Sequence, residues 1–160
     1  MSTTAAGIQY NTVSTTQQAP LGFILERPTA NQGTQLWIYV QANGTLTPGM
    51  VCARGAGAAA LTYDVIAAPV ITGVNGVVGV AVHQILDNSF GFIMKRGSTG
   101  VVAGSGTIDV NECIIVGAGT AGRADCFTAG AGLAVNSGFG WASADATEGN
   151  PAVCNINCVG

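Results

Sequence analysis

An all-β fold is what this sequence predicts, on three observations. Runs of β-branched and aromatic residues recur in short stretches, turn signals interrupt them every ~8–12 residues, and no window combines an apolar helical period with capping residues. Glycine supplies 24 of the 160 residues. The expected architecture is a compact antiparallel barrel or sandwich of short, Gly-punctuated strands with an extended N-terminal arm. A chain of this length buries about 70% of its unfolded surface, so a single β domain over 26–160 is expected behind an arm over 1–25.

The arm contains no charged residue and too few large apolar groups to build a core locally. Its apolar residues Ile8, Tyr10 and Val13 need a surface to land on, and the expectation is that of a neighbouring subunit or shell. Gln35 to Ala42 (QLWIYVQA) carries β-branched and aromatic residues on both faces, as a strand buried on two sides does. Asn43-Gly44 reads as a hairpin turn and Pro48-Gly49 as a second turn signal, with Met50 to Ala53 a short strand after them.

Tyr63 to Ala68, Val77 to Val82 and Phe90 to Lys95 repeat the theme, separated by Pro69, Gly73, Asn75-Gly76 and Asp87-Asn88-Ser89. In the last of these strands Phe90, Phe92 and Met94 alternate with Gly91, Ile93 and Lys95, a period of two. Val101 to Ala103, Cys113 to Val116, Leu133 to Val135, Phe139 to Ser143 and Val153 to Val159 complete the series. Val82 to Leu86 has room for a helical turn or two, and the Ala-rich Gly55 to Leu61 carries two glycines and no cap. No exact internal repeat is visible.

Charge narrows the function. Surfaces of soluble domains use roughly 25–35% charged residues, whereas this whole chain has 8%, with five Lys+Arg against eight Asp+Glu. A charge-poor, Gly-rich exterior suits a subunit whose outside is another protein's neighbour. Nucleic-acid binding needs a clustered basic face, and Arg27, Arg54, Lys95, Arg96 and Arg123 are too scattered to form one. No stretch reaches the ~20 apolar residues of a membrane helix, and 1–20 lacks the basic start and apolar centre of a secretory signal. Neither nucleic acid nor membrane is an expected partner, and folding in a cytoplasm is expected. The five cysteines then read as free thiols filling space as small apolar groups.

The chemical inventory is thin. Gly117, Gly119 and Gly122 spell G-x-G-x-x-G after the Cys113 to Val116 strand, with Asp145 about 20 residues on. Dinucleotide binding also needs a helix whose N-terminus holds the pyrophosphate and a parallel sheet around it. Gly130 and Gly132 stand where that helix should run. His83 is the sole histidine, and Ser89, His83 and Asp87 crowd into a span that fits no nucleophile-base-acid scaffold. Cys154 and Cys158 fall on one face of an alternating strand, about 13 Å apart at ~3.3 Å per residue, too far for one metal or one disulfide. Asp64, Asp87, Asp109, Glu112, Asp125, Asp145 and Glu148 stand singly. No enzyme activity, cofactor, metal or small-molecule substrate is expected.

The order of elements carries a resemblance. Leu36-Trp37-Ile38-Tyr39-Val40 leads into Gly44-Thr45-Leu46-Thr47-Pro48-Gly49-Met50-Val51. Val77-Val78-Gly79-Val80-Ala81 follows, then the Asp87-Asn88-Ser89 turn, then Phe90-Gly91-Phe92-Ile93-Met94 with Gly97 close behind, and finally the Gly/Ala-rich Gly117 to Ala129. Over residues 35–145 this resembles the small capsid decoration (cement) proteins of tailed bacteriophages, while the cysteines and the ending VCNINCVG depart from the pattern. The resemblance implies a β domain, commonly a homotrimer, on the outer capsid surface of a virion assembled in the host cytoplasm. There it would clamp neighbouring copies of the major capsid protein, with no catalytic residues. The alternative is a tail or fibre component or a receptor-binding β module, for which an exposed Trp37 or Trp141 would stack on a sugar.

Overall fold

A computed structural model describes residues 7–30, 33–55, 63–69, 76–127 and 138–158. Every regular element among them is a strand: β1 (Ile24–Thr29), β2 (Gly33–Ala42), β3 (Val51–Arg54), β4 (Asp64–Ala67), β5 (Val77–Val80), β6 (Phe90–Val102), β7 (Cys113–Val116), β8 (Ala124–Cys126), β9 (Gly140–Ala142) and β10 (Pro151–Asn157). The all-β expectation holds. Of the expected elements, Leu133 to Val135 and all but the first residue of Gly55 to Leu61 lie outside the described residues.

The strands form one sheet in the order β1-β2-β4-β3-β5-β6-β10-β9-β7-β8, and an additional β2–β6 pairing closes β2, β4, β3, β5 and β6 into a ring. A second ring follows along β6, β10, β9, β7 and β8. It is returned to the end of β6 by a parallel Ala103–Ala124 bridge and by the Gly104 N–H donating to the Ala124 carbonyl at 2.7 Å. β6 belongs to both rings. Pairing is antiparallel except for β2–β4 and the Ala103–Ala124 bridge, which refines the antiparallel expectation.

The two rings are copies of one design. In the first, β3 is flanked by β4 and β5, with Cys52 facing Ala67 and Gly79. In the second, β7 is flanked by β8 and β9, with Ile114 facing Cys126 and Gly140. Val80 faces Met94 where Trp141 faces Asn155. Even the close approaches recur: a Cβ on Gly79 would stand 2.6 Å from the Met94 carbonyl oxygen, and one on Gly140 would run into the Asn155 carbonyl oxygen.

Loops make the duplication plainest. Loops 43–50 and 81–89 meet at Leu46–Ile85, and loops 103–112 and 143–150 meet at Ile108–Ala146; each pair exchanges both N–H···O bonds at 2.8–3.0 Å. Each loop then makes a turn closed by Met50 on Thr47, Ser89 on Leu86, Glu112 on Asp109 or Asn150 on Thr147. The third turn residue is left-handed every time: Gly49 (φ 82°), Asn88 (59°), Asn111 (67°) and Gly149 (78°). Gly and Asn tolerate that region, and a turn with positive φ at its third position demands it. Where each loop departs from its strand, a fully buried Ala (42, 81, 103 or 142) lets the partner loop's backbone pass close by. Its N–H donates to the carbonyl of the residue that closes the partner's turn, and its own carbonyl accepts from the partner's left-handed residue.

Three expectations change. Asn43-Gly44 closes no hairpin, because β4 lies between β2 and β3; Gly44 N–H instead donates to Asp87 Oδ1 at 2.7 Å. Val82 to Leu86 is no helix, since Ile85 is spent on its bridge with Leu46. Phe90 to Lys95 and Val101 to Ala103 are largely one strand, continuous through residues 96–100. Two strands were not anticipated: β1, which straddles the expected 25/26 boundary, and β8.

We expect Gly79→Ala and Gly140→Ala each to cost about 1–3 kcal/mol in urea denaturation, the usual cost of forcing a methyl into packed backbone. Asn111→Gly should stay within about 0.5 kcal/mol, whereas Asn111→Val should lose about 1–2 kcal/mol to left-handed strain.

Candidate functional site

The charge-free leading segment lies on its own chain. Ile8 is buried. Tyr10 packs against Trp37 with ring centroids 4.8 Å apart and planes tilted by 45°, and takes the Arg27 guanidinium on its ring at 4.5 Å. Ser14 exchanges both backbone bonds with Phe90 at 2.8–3.0 Å, the Gln18 N–H donates to the Tyr39 hydroxyl at 3.0 Å, and Phe23 and Gly22 bond to Tyr39 backbone. Residues 8–23 thus sheathe the outer face of the first ring. Of the three residues expected to meet a neighbour, Ile8 and Tyr10 are occupied here, and Val13, 37% exposed, is the free one.

The two tryptophans part company. Trp37 is buried under Tyr10, while Trp141 is 53% exposed. Trp141 stands in β9, facing Cys113 of β7 on one side and Asn155 of β10 on the other. Cys113 is exposed, and so are Val153, at 48%, and Pro151. The outer surface of the second ring is therefore an apolar and amide face. Pro151 also borders an open cleft of about 500 Å³ lined by Thr107, Asp109, Asp145, Ala146, Thr147 and Asn150. Asp145 is committed there, its Oδ1 accepting the Val110 N–H.

The chemistry-bearing candidates resolve into structural roles. Gly117 to Gly122 turns the chain between antiparallel β7 and β8, the Gly117 N–H donating to the Arg123 carbonyl at 2.7 Å; a β-hairpin stands where the nucleotide motif needs a helix N-terminus. Asp87 spends Oδ1 on Gly44 N–H and Oδ2 on the Asn88 amide. Ser89 is buried. His83 Nε2 has no hydrogen-bond partner, and burial lowers the imidazole pKa. The three are not assembled as a relay. Cys154, Ile156 and Cys158 are buried while Asn155 and Asn157 are not, the alternation read from the sequence.

Burial pushes the Cys52, Cys126 and Cys158 thiols up to about 12 and Cys154 up to about 11. For Cys126 a hydrogen bond and charge from Glu112 add to the effect.

The fold and face together define a duplicated, all-β domain with one sheathed and one open ring surface. The chain matches no protein-family model and no curated protein sequence. Among solved structures it is similar to the N base of the head fiber protein gp8.5 of bacteriophage phi29. That likeness has a TM-score of 0.53 at 17% identity, and covers 77% of this chain and 94% of the other.

Because thiolate is the reactive form, alkylation at neutral pH should modify Cys113 first and leave Cys52, Cys154 and Cys158 intact, as read by peptide mass spectrometry. Comparable rates at all positions would contradict the burial described. The raised thiols also set an alkaline limit. Their contribution to stability is complete below pH 9.0, the ordinary thiol value, and is lost as pH rises toward about 12; the melting temperature should therefore fall above pH 9.

Proposed function

We propose that the chain is a structural component of a bacteriophage virion, a subunit on the outside of the head that clamps neighbouring major capsid proteins and stabilises the shell. The observation that carries this reading is the likeness in fold to nearly the whole of a phage head fiber base. The 8% charge content supports it, since ions at a protein contact cost hydration that must be recovered. Many weak clamps linked through one lattice gain effective concentration, and a cyclic homotrimer suits the three-fold positions of a shell. In this reading the chain does no catalysis and binds no cofactor, nucleic acid or membrane. A second reading, favoured by the description of that structural neighbour, is the base of a fibre that projects from the head.

Purified protein mixed with preformed shells that lack it should co-sediment saturably and raise the temperature at which the shells rupture. Protein that stays in the supernatant even in large excess would sink the proposal. The ratio of bound protein to coat subunits separates a decoration lattice from sparse fibre bases.

The arm is tested by Val13→Asp, which should weaken shell attachment without moving the melting temperature; undiminished attachment removes Val13 from the contact. Deleting residues 1–18 is a different experiment. It strips Tyr10 from Trp37 and should lower the melting temperature as well.

A further inference from the structure

Strand pairing sets the outer faces of the two rings in register. Trp37 and Met94 are partners where Ser98 and Asn155 are partners. Tyr39 and Phe92 correspond in the same way to Gly100 and Val153, and Val51 and Val80 to Cys113 and Trp141. In the first ring all six positions are 0–3% exposed, with residues 8–23 over Trp37, Tyr39 and Phe90. In the second ring the corresponding surface holds Trp141 at 53% and Val153 at 48% exposure. One surface of the same design is sheathed and the other is bare.

We propose that the bare face, centred on Trp141 with Val153, Cys113 and Pro151, is where a second copy of this chain packs. The choice of occupant rests on reading the chain as an assembly subunit. Chemistry selects it further. Among the described residues, Trp141 and its neighbours Cys113, Asn155, Val153 and Pro151 are all uncharged, and the charged groups stand at the margins, Arg96 opposite Asn157 and Asp125 opposite Ile115. A charged partner would lose hydration here with nothing to replace it. A second copy brings an equally uncharged surface, and its large apolar groups gain by burial; an aromatic side chain can bury 150–250 Å². In the first ring the equivalent face takes cover from this chain's own residues, through tilted ring packing on Trp37 and backbone bonding at Phe90.

The test is sedimentation equilibrium of the full chain and of Trp141→Glu and Val153→Asp, from micromolar to submillimolar concentration. Cys113 alkylation rates are measured over the same range. The parent should self-associate and shield Cys113 as concentration rises. Both variants should melt as the parent does, because both side chains are exposed, and should associate at least about 30-fold more weakly, the loss expected at an interface hot spot. A parent that stays monomeric, variants that associate unchanged, or Cys113 reactivity independent of concentration would each overturn the inference. So would a monomer whose Trp141 fluorescence saturates with an oligosaccharide, which makes the occupant a glycan. A monomer that still coats shells defeats this inference alone, whereas Trp141-dependent association in a protein that ignores shells defeats the functional proposal alone.

Discussion

Everything in this molecule is arranged around one strand that must serve two curvatures. β6 runs for 13 residues, closing the first ring against β2 with its leading half and opening the second against β10 with its trailing half. Gly97 sits between the halves with φ 136°, and a Cβ there would press on Gln35 Cγ at 3.0 Å and Met94 Sδ at 3.1 Å. A side chain would resist both the backbone angle and the packing. Because that turn is made, the second ring's interior (Val101, Ala103, Ile108, Ile114, Ala124, Phe139) merges with the first ring's outer face into a single apolar cluster, while the first ring keeps a separate interior.

The duplicated halves have been used differently. The first has aromatic side chains on its outer face and spends the chain's leading segment to cover them. The second replaces Trp37, Tyr39 and Met94 by Ser98, Gly100 and Asn155 and keeps two large apolar groups, Trp141 and Val153, in the open. Such a surface retains a large aromatic group of the kind enriched at the centres of protein contacts. Under the proposed packing, this asymmetry separates folding from association, with one face completed within the chain and the other by a neighbour.

The sequence spoke clearly wherever burial filled both faces of a strand. QLWIYVQA and CIIV are legible because both are dense in β-branched or aromatic residues on successive positions. β1 (ILERPT) was not, because Glu26 and Pro28 are edge-strand residues, and an edge tolerates a proline with no N–H to donate. β8 is three residues long and is specified by its neighbours rather than by itself. The duplication was hidden because its requirements are conformational. A left-handed third residue is met by Gly49 or Asn88, and the bridging position by Leu46, Ile85, Ile108 or Ala146, so the rule repeats while the letters do not. For the leading segment, lack of charge signalled the need for a covering surface, but composition alone could not say whose; Tyr10 finds it on Trp37. The exposure of Trp141 likewise depends on which ring its strand joins.

On the proposed packing, the first ring's outer face is completed within the chain and the second's by a neighbour. Hydrogen–deuterium exchange, comparing the dilute protein with its assembled form, tests this most directly. New protection is expected in β7, β9 and β10 on assembly, with residues 8–23 already protected in the dilute state and little changed. Protection gained along 8–23 while β9 and β10 exchange as before would contradict it.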